Sequence, residues 1–378
     1  MVHQQRFFGY GSFNKLEPMI KKFSPHKIFL VHGKTSFAMS GAEKLLMPIL
    51  SHYEIAFSPI AGSNPKIDDI ERGISYFQTS GAGIVLGVGG GSAMDTAKAI
   101  ALLAGQKNFH EILLGNAEPQ PRLIPPIMMP TTAGTGSESN RFIVYYLRGK
   151  KRSLSHPSSV PDVAILDPAF SLNLPPKITA ATGMDALAQA IESYWSVSST
   201  ETSRDLCRKA IPAIIDHLPK AVLDPEKKSR AEMLSASNLA GQAINITRTT
   251  APHAVSYPMT SHFNVPHGHA VGLTLPSFLL FNSQTTAETL QDPRGVGFVK
   301  KIISHIVKML GAKTPEEAFS FLTKFIADLG LETKLSGLGI GSEGINLILK
   351  EGFTPDRMNN NPRKVSREDL LAMLERIS

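Results

Sequence analysis

The sequence predicts an α/β fold for the N-terminal part of the chain and an all-α fold for the remainder. Two observations carry this reading. Up to about residue 170, short β-branched or apolar runs alternate with stretches of helical spacing, the pattern of a parallel sheet covered on both faces. Beyond that point the strand signal all but ends, and apolar residues recur at three- and four-residue intervals. A chain of 378 residues, at roughly 150 per domain, agrees with two domains, drawn at 1–170 and 171–378.

The elements follow in order. Lys27–Val31 (KIFLV) is a strand, Ala42–Leu50 the end of a helix, and Glu54–Phe57 a short strand. Ile67–Thr79 has helical spacing, Gly83–Val88 (GIVLGV) is an apolar strand, Ala93–Leu103 a helix and Pro126–Met129 a strand. Phe7–Phe13 can add an edge strand, and the first domain closes near Asp167-Pro168, where the apolar run Val163–Leu166 ends. Helical spacing then covers Ile178–Tyr194, Glu201–His217, Glu226–Asn245, Phe298–Leu310, Pro315–Leu329 and Arg367–Ile377.

Composition narrows the function classes. Hydrophobic residues make up 42% and charged residues 19%, ordinary values for a globular chain. A single cysteine, Cys207, excludes an internal disulfide framework and any Cys-rich zinc module, and fits a reducing, cytoplasmic setting. No apolar segment reads as a signal peptide or is long enough to span a bilayer. The net charge of +7 is scattered. Its densest run, RGKKR at Arg148–Arg152, has no interleaved aromatics and reads as a solvated turn, so neither nucleic acid nor membrane is an expected partner.

Three segments carry chemistry. Gly87-Val88-Gly89-Gly90-Gly91-Ser92 follows a strand and opens a helix; glycines admit close approach of a pyrophosphate, the helix start offers N–H groups, and Ser92 can cap it. A second strand leads into Pro130-Thr131-Thr132-Ala133-Gly134-Thr135-Gly136-Ser137-Glu138, whose hydroxyls can wrap a ribose, phosphate or nicotinamide. Asp95 and Lys98, on the helix after the glycines, are candidate cofactor contacts, with an exposed helix charge or a salt bridge as the alternative. In the second domain, Asp185 and Gln189 share a helix face, while His253 and His267 flank a proline-interrupted, irregular stretch, with His262 inside it and His269 just beyond. Together they sketch a divalent-metal site, although spacing alone favours satisfied core or surface residues.

These segments resemble the iron-containing alcohol dehydrogenase family. The resemblance runs through GVGGGSAMDTAKAIA (87–101), MPTTAGTGSES (129–139), ATGMDALAQAIESYWS (181–196), APHAVSYPMTSHFNVPHGHAVGLTLP (251–276) and NNPRKVSREDLLAML (360–374). It implies a dinucleotide-binding α/β domain, a helical metal-binding domain, and reversible hydride transfer between a nicotinamide cofactor and a small alcohol or aldehyde. It maps metal ligands onto Asp185, His253, His267 and Gln189, the last where the family pattern has His, and iron or zinc is the implied ion. Cofactor contacts fall on Gly33, Lys34, Gly89, Gly90, Gly91, Ser92, Asp95, Thr131, Thr132 and Thr135. Gly33 stands where NAD-preferring members carry Asp, and with Lys34 and Ser36 beside it the expectation leans to NADP over NAD. Tyr257 replaces another family His, so Tyr257, His269 and the ligand His267 are the candidate catalytic groups.

The segment from Asn245 to Ala254 and the later PHGHAV are similar to the phosphonoacetaldehyde reductase branch. That similarity suggests an anionic aldehyde held by Arg248, Thr249 and Thr250, with Arg141 and His269 adding positive charge and a helix-end cation as the alternative role of Arg248. A dehydrogenase for neutral short-chain alcohols, a dehydroquinate synthase-type lyase and a non-catalytic nucleotide-binding relative are the alternatives. The family also implies a homodimer or larger homo-oligomer.

Overall fold

The computed structural model describes residues 4–60 and 64–378. The chain divides into two compact units, the first running to Leu174 and taking in Glu226–Ser235, the second comprising Pro175–Pro225 and Ala236–Ser378.

The first unit contains β1 (Gln5–Phe8), α1 (Leu16–Phe23), β2 (Lys27–Gly33), α2 (Ser36–Met39), α3 (Ala42–Leu50), β3 (Glu54–Ile60) and α4 (Ile67–Ser80). It continues with β4 (Ile84–Gly89), α5 (Gly91–Leu103), α6 (Phe109–Leu114), β5 (Pro126–Pro130), β6 (Phe142–Leu147), β7 (Lys150–Ser155) and β8 (Val163–Leu166). Six strands form one sheet in the order β1-β8-β5-β4-β2-β3, every pair parallel. The strands are apolar on both faces, as a sheet covered on both sides requires. In β2, Ile28 and Leu30 enter a core with Leu16, Leu46, Ile84 and Ile165, while Phe29 and Val31 enter another with Ile70, Ile74, Ala97 and Ile100. Each such buried aliphatic side chain contributes about 1.5–3 kcal/mol over leaving it exposed.

From β2 the chain moves outward to β3, then returns to β4 and continues through β5 on the other side. The order therefore reverses between β2 and β4, and an open α/β sheet binds its ligand at the carboxyl ends beside such a reversal. Gly33 ends β2 and Gly89 ends β4. Phe7–Phe13 contributes an edge strand only through its first residues, with β1 pairing Phe7 to Ile165.

The basic run is half turn and half strand. Arg148 and Gly149 have φ of 51° and 77°, a pair of left-handed residues suited to a two-residue hairpin, and β6 pairs antiparallel with β7. The three cations at 150–152 thus lie on a strand. Their polarity had concealed it, because this strand buries little.

The second unit is helical: α7 (Pro176–Trp195), α8 (Glu201–Leu223), most of α9 (Lys227–Thr247), α10 (Ala251–Phe263), α11 (His267–Ser283), α12 (Val296–Met309), α13 (Pro315–Asp328), α14 (Ser342–Glu351), α15 (Pro355–Met358) and α16 (Arg367–Arg376). The start of α9 groups with the first unit, where the Lys227 carbonyl accepts the Tyr10 hydroxyl at 2.7 Å and Arg230 donates to the Leu174 carbonyl at 3.1 Å. The irregular stretch expected between His253 and His267 is instead two helices joined by three residues. Pro252 occupies the first turn of α10 and Pro266 the position before α11, both sites where a missing N–H costs nothing. No described helix is long and apolar enough to cross a membrane.

Candidate functional site

In the first unit, two loops meet at the end of the sheet. The helix after β4 starts at Gly91 with Gly90 as its N-cap, and no side chain caps it. Ser92, expected as the cap, lies inside the helix and accepts the Asn64 N–H at 3.2 Å. The N–H groups of the first turn are therefore left for a ligand, with the helix dipole behind them. A Cβ on Gly91 would meet Thr135 at 2.7 Å, and one on Gly90 would meet Thr132 at 3.3 Å. Gly89, at φ 152°, would press Ala93 at 2.7 Å and come within 3.8 Å of the Gly33 nitrogen. The Thr131 N–H donates to the Gly89 carbonyl at 2.9 Å. Gly33, Gly89, Gly90, Gly91, Thr131, Thr132 and Thr135 are thus gathered in one cradle, which a dinucleotide phosphate fits. Lys34 is exposed at its β2 end.

Asp95 and Lys98 form the salt bridge that was the alternative to a cofactor role. The Asp95 carboxylate accepts the Ser137 hydroxyl and, at 3.0 Å, the Val144 N–H, with the Lys98 ammonium 3.1 Å away. Lys98 is fully buried and donates to the carbonyls of Asn140 and Phe142. Burial pulls its ammonium below the usual lysine range, against the opposing pull of Asp95. The pair fastens α5 to the segment after the second loop, and its charges are spent there. Arg141, in this same unit, lies over the Phe142 ring and is not among the second unit's residues described next.

In the second unit α7 lies at the centre, buried along most of its length. Glycines let its neighbours approach. A Cβ on Gly268 would fall 1.9 Å from the Ala181 carbonyl oxygen and 2.7 Å from the Asp185 Cβ, so only glycine admits the start of α11 here. That approach carries His267 to Asp185. Among the described residues, Asp185, His253 and His267 offer ligand atoms all within 4.8 Å of one another, a cluster with room for one ion between them. Gln189, one turn after Asp185, is 3% exposed, and its Oε1 has no hydrogen-bond partner. An orphaned amide oxygen on the ligand face of α7, added to one carboxylate and two imidazoles, is a donor set that fits a divalent cation.

Sequence reasoning missed Glu192, which holds this group in place. It is fully buried. Its Oε1 is 2.5 Å from His253 Nδ1, and its Oε2 accepts the Thr250 N–H at 2.6 Å and the Thr250 hydroxyl at 2.8 Å. Trp195 Nε1 donates to the same hydroxyl at 2.9 Å. With Nδ1 donating to Glu192, His253 presents Nε2, 3.4 Å from Asp185 Oδ1. Burial disfavours the imidazolium, but Glu192 and Asp185 outweigh it and raise His253 to about 9, so proton and metal compete for Nε2. The signal was present: 185, 189 and 192 form one i, i+4, i+7 stripe.

The remaining candidates separate. Tyr257 lies beside His267, ring centroids 6.1 Å apart. His269 points elsewhere: its Nε2 lies 2.7 Å from the Glu332 carbonyl, to which it donates, and burial lowers its basicity. It tethers the segment after α13. His262 pairs with Glu351 at 2.9 Å, outside the ligand group. Arg248 ends α9 with φ 61° and meets Asp356 at 3.4 Å, its side chain 42% exposed. Thr249 is buried, its carbonyl accepting from Asn360 at 3.0 Å.

Comparison with known proteins agrees with this arrangement. The chain matches the family description "Iron-containing alcohol dehydrogenase" over residues 4–168 and "Fe-containing alcohol dehydrogenase family, C-terminal" over 179–378. It is 30% identical over 380 residues to a sulfoacetaldehyde reductase of Bilophila wadsworthia, covering 97% of this chain and 95% of that protein. It is 32% identical over 306 residues to a phosphonoacetaldehyde reductase of Streptomyces viridochromogenes, covering 78% and 75%. Among solved structures, sulfoacetaldehyde reductase from Bifidobacterium kashiwanohense in complex with NAD+ superposes with a TM-score of 0.87 at 28% identity, covering all of this chain and 97% of that one. With a nucleotide cradle at the reversal of a parallel sheet, a three-residue ligand group on a helical unit, and family matches spanning both, the chain belongs to the iron-containing alcohol dehydrogenase family and is an oxidoreductase.

Proposed function

We propose that the protein is an NADPH-dependent reductase of a small aldehyde carrying a phosphonate or sulfonate group. One observation supports the anionic substrate above the neutral alternative. Arg248 and Arg357 share a single carboxylate, Asp356, at 3.4 and 3.2 Å, leaving a net positive charge in the unit that holds the ligand group. The relatives named for sulfoacetaldehyde and phosphonoacetaldehyde fit the same chemistry.

When bound, a divalent ion supplies Lewis acidity and NADPH supplies a hydride. Asp185, His253, His267 and Gln189 would hold the ion, while Glu192 fixes the His253 ring. Tyr257, beside His267, would give the product alkoxide its proton, and the first unit's glycine cradle would hold the pyrophosphate. NADPH is preferred because Gly33 offers no carboxylate to repel a 2′-phosphate and Lys34 stands exposed beside it.

The test is NADPH and NADH oxidation by the metal-loaded enzyme with phosphonoacetaldehyde, sulfoacetaldehyde and propanal. Higher kcat/KM for the two anions with NADPH is expected; equal or greater activity on propanal would discard the substrate class. Gly33→Asp should move the NADPH-to-NADH ratio of kcat/KM by roughly ten- to a hundredfold toward NADH. The new Cβ meets only the Ser36 hydroxyl, at 2.2 Å, which can rotate away. Gln189→His should tighten zinc or iron binding by about tenfold or more, read by competition with a chelator, since imidazole is the stronger donor.

A further inference from the structure

We propose that Arg357, and not Arg248, is the residue that recognises the anionic end of the substrate. The inference rests on the anionic-aldehyde reading above and assigns it a side chain. Arg357 lies on α15 and is 8% exposed, whereas the Arg248 side chain is 42% exposed. Its guanidinium is hydrogen-bonded to the Tyr257 side chain, and Tyr257 in turn lies against His267. Arg357 also feels the charge of Glu192, the carboxylate behind His253. It therefore stands one side chain from the group that would receive the carbonyl oxygen.

Charge balance points the same way. A divalent ion held by these ligands would be neutralised by Asp185 and Glu192. Asp356 neutralises one of the two arginines it touches and, being 53% exposed, is itself solvated. The surplus positive charge is thus left to be met by the substrate, and a low-exposure guanidinium binds an anion more strongly than a solvated one. A planar fork suits the paired oxygens of a phosphonate or sulfonate. Arg248 then serves as an outer brace on Asp356.

The test compares kcat/KM for phosphonoacetaldehyde and propanal in wild type, Arg357→Met, Arg357→Lys and Arg248→Ala. The ratio of the two values does not depend on how much enzyme is folded. Arg357→Met should lower that ratio by roughly 10- to 100-fold. Arg357→Lys, which keeps the charge but loses the fork, should fall between, and Arg248→Ala should change it only slightly. Calorimetric titration of the NADP-bound holoenzyme with ethylphosphonate should give binding in wild type that Arg357→Met loses. A wild type with no preference for the anion would overturn the substrate class, and the assignment with it. A clear wild-type preference with an unchanged ratio in Arg357→Met would overturn Arg357 alone, and a ratio that collapses in Arg248→Ala instead would return the role to Arg248.

Discussion

Gly268→Ala should destabilise the protein by about 3 kcal/mol or more and strip it of its metal. Overpacking a core costs about 1–3 kcal/mol when a side chain can move aside. Here the added methyl would fall 1.9 Å from the Ala181 carbonyl oxygen and 2.8 Å from the Asp185 nitrogen, both backbone atoms of a buried helix. Neither can rotate away, so α11 must retreat from α7. His267, the residue before, retreats with it. The checks are thermal unfolding and metal content of the purified variant. A variant that keeps both wild-type values would show that the helices have slack at this contact.

Glu192→Gln should weaken metal binding by about 10- to 100-fold, the usual cost of losing a partner behind a ligand histidine, and destabilise the fold by about 1–3 kcal/mol. The substitution keeps volume and removes charge. One carboxylate oxygen now faces His253 Nδ1 and the other faces both donors of Thr250. An amide has a single acceptor oxygen. Whichever way it flips, its NH2 must point at a donor, which is left unsatisfied in a fully buried position. His253 can then rotate or change tautomer. Chelator competition and denaturant unfolding measure the two effects separately, and unchanged affinity would remove Glu192 from the site.

What could be read from the sequence depended on how much apolar surface each segment buries. β2 and β4 are buried on both faces and announce themselves as unbroken apolar runs. β7 buries little, so its first residues, Lys150–Arg152, were read as part of the turn at 148–152. Helices α10 and α11 were obscured by Pro252, Pro258, Pro266 and Pro276, although Pro252 and Pro266 stand where helix starts accept proline. The ligand trio was legible through family resemblance and only weakly through spacing. Glu192 escaped because a carboxylate in a helix ordinarily marks its solvent side, whereas this one is buried by three hydrogen bonds. Arg357 escaped for the opposite reason: after Pro355-Asp356 it reads as a polar loop, yet it is almost fully enclosed. Asp95 and His269 were named for their places beside the motifs, and their side chains bond to Val144 and to the Glu332 carbonyl.

The opening residues of α9 carry a consequence for how such a protein can be recombined. The chain leaves the first unit at Leu174, comes back for Glu226–Ser235, and leaves again within one continuous helix. A nucleotide-binding half cannot therefore be exchanged between relatives by a single crossover near residue 174. The donor would have to bring the ten-residue insert as well, or Tyr10 and the Leu174 carbonyl would face a foreign α9. The two units are drawn from interleaved stretches of one sequence and are inherited as one piece.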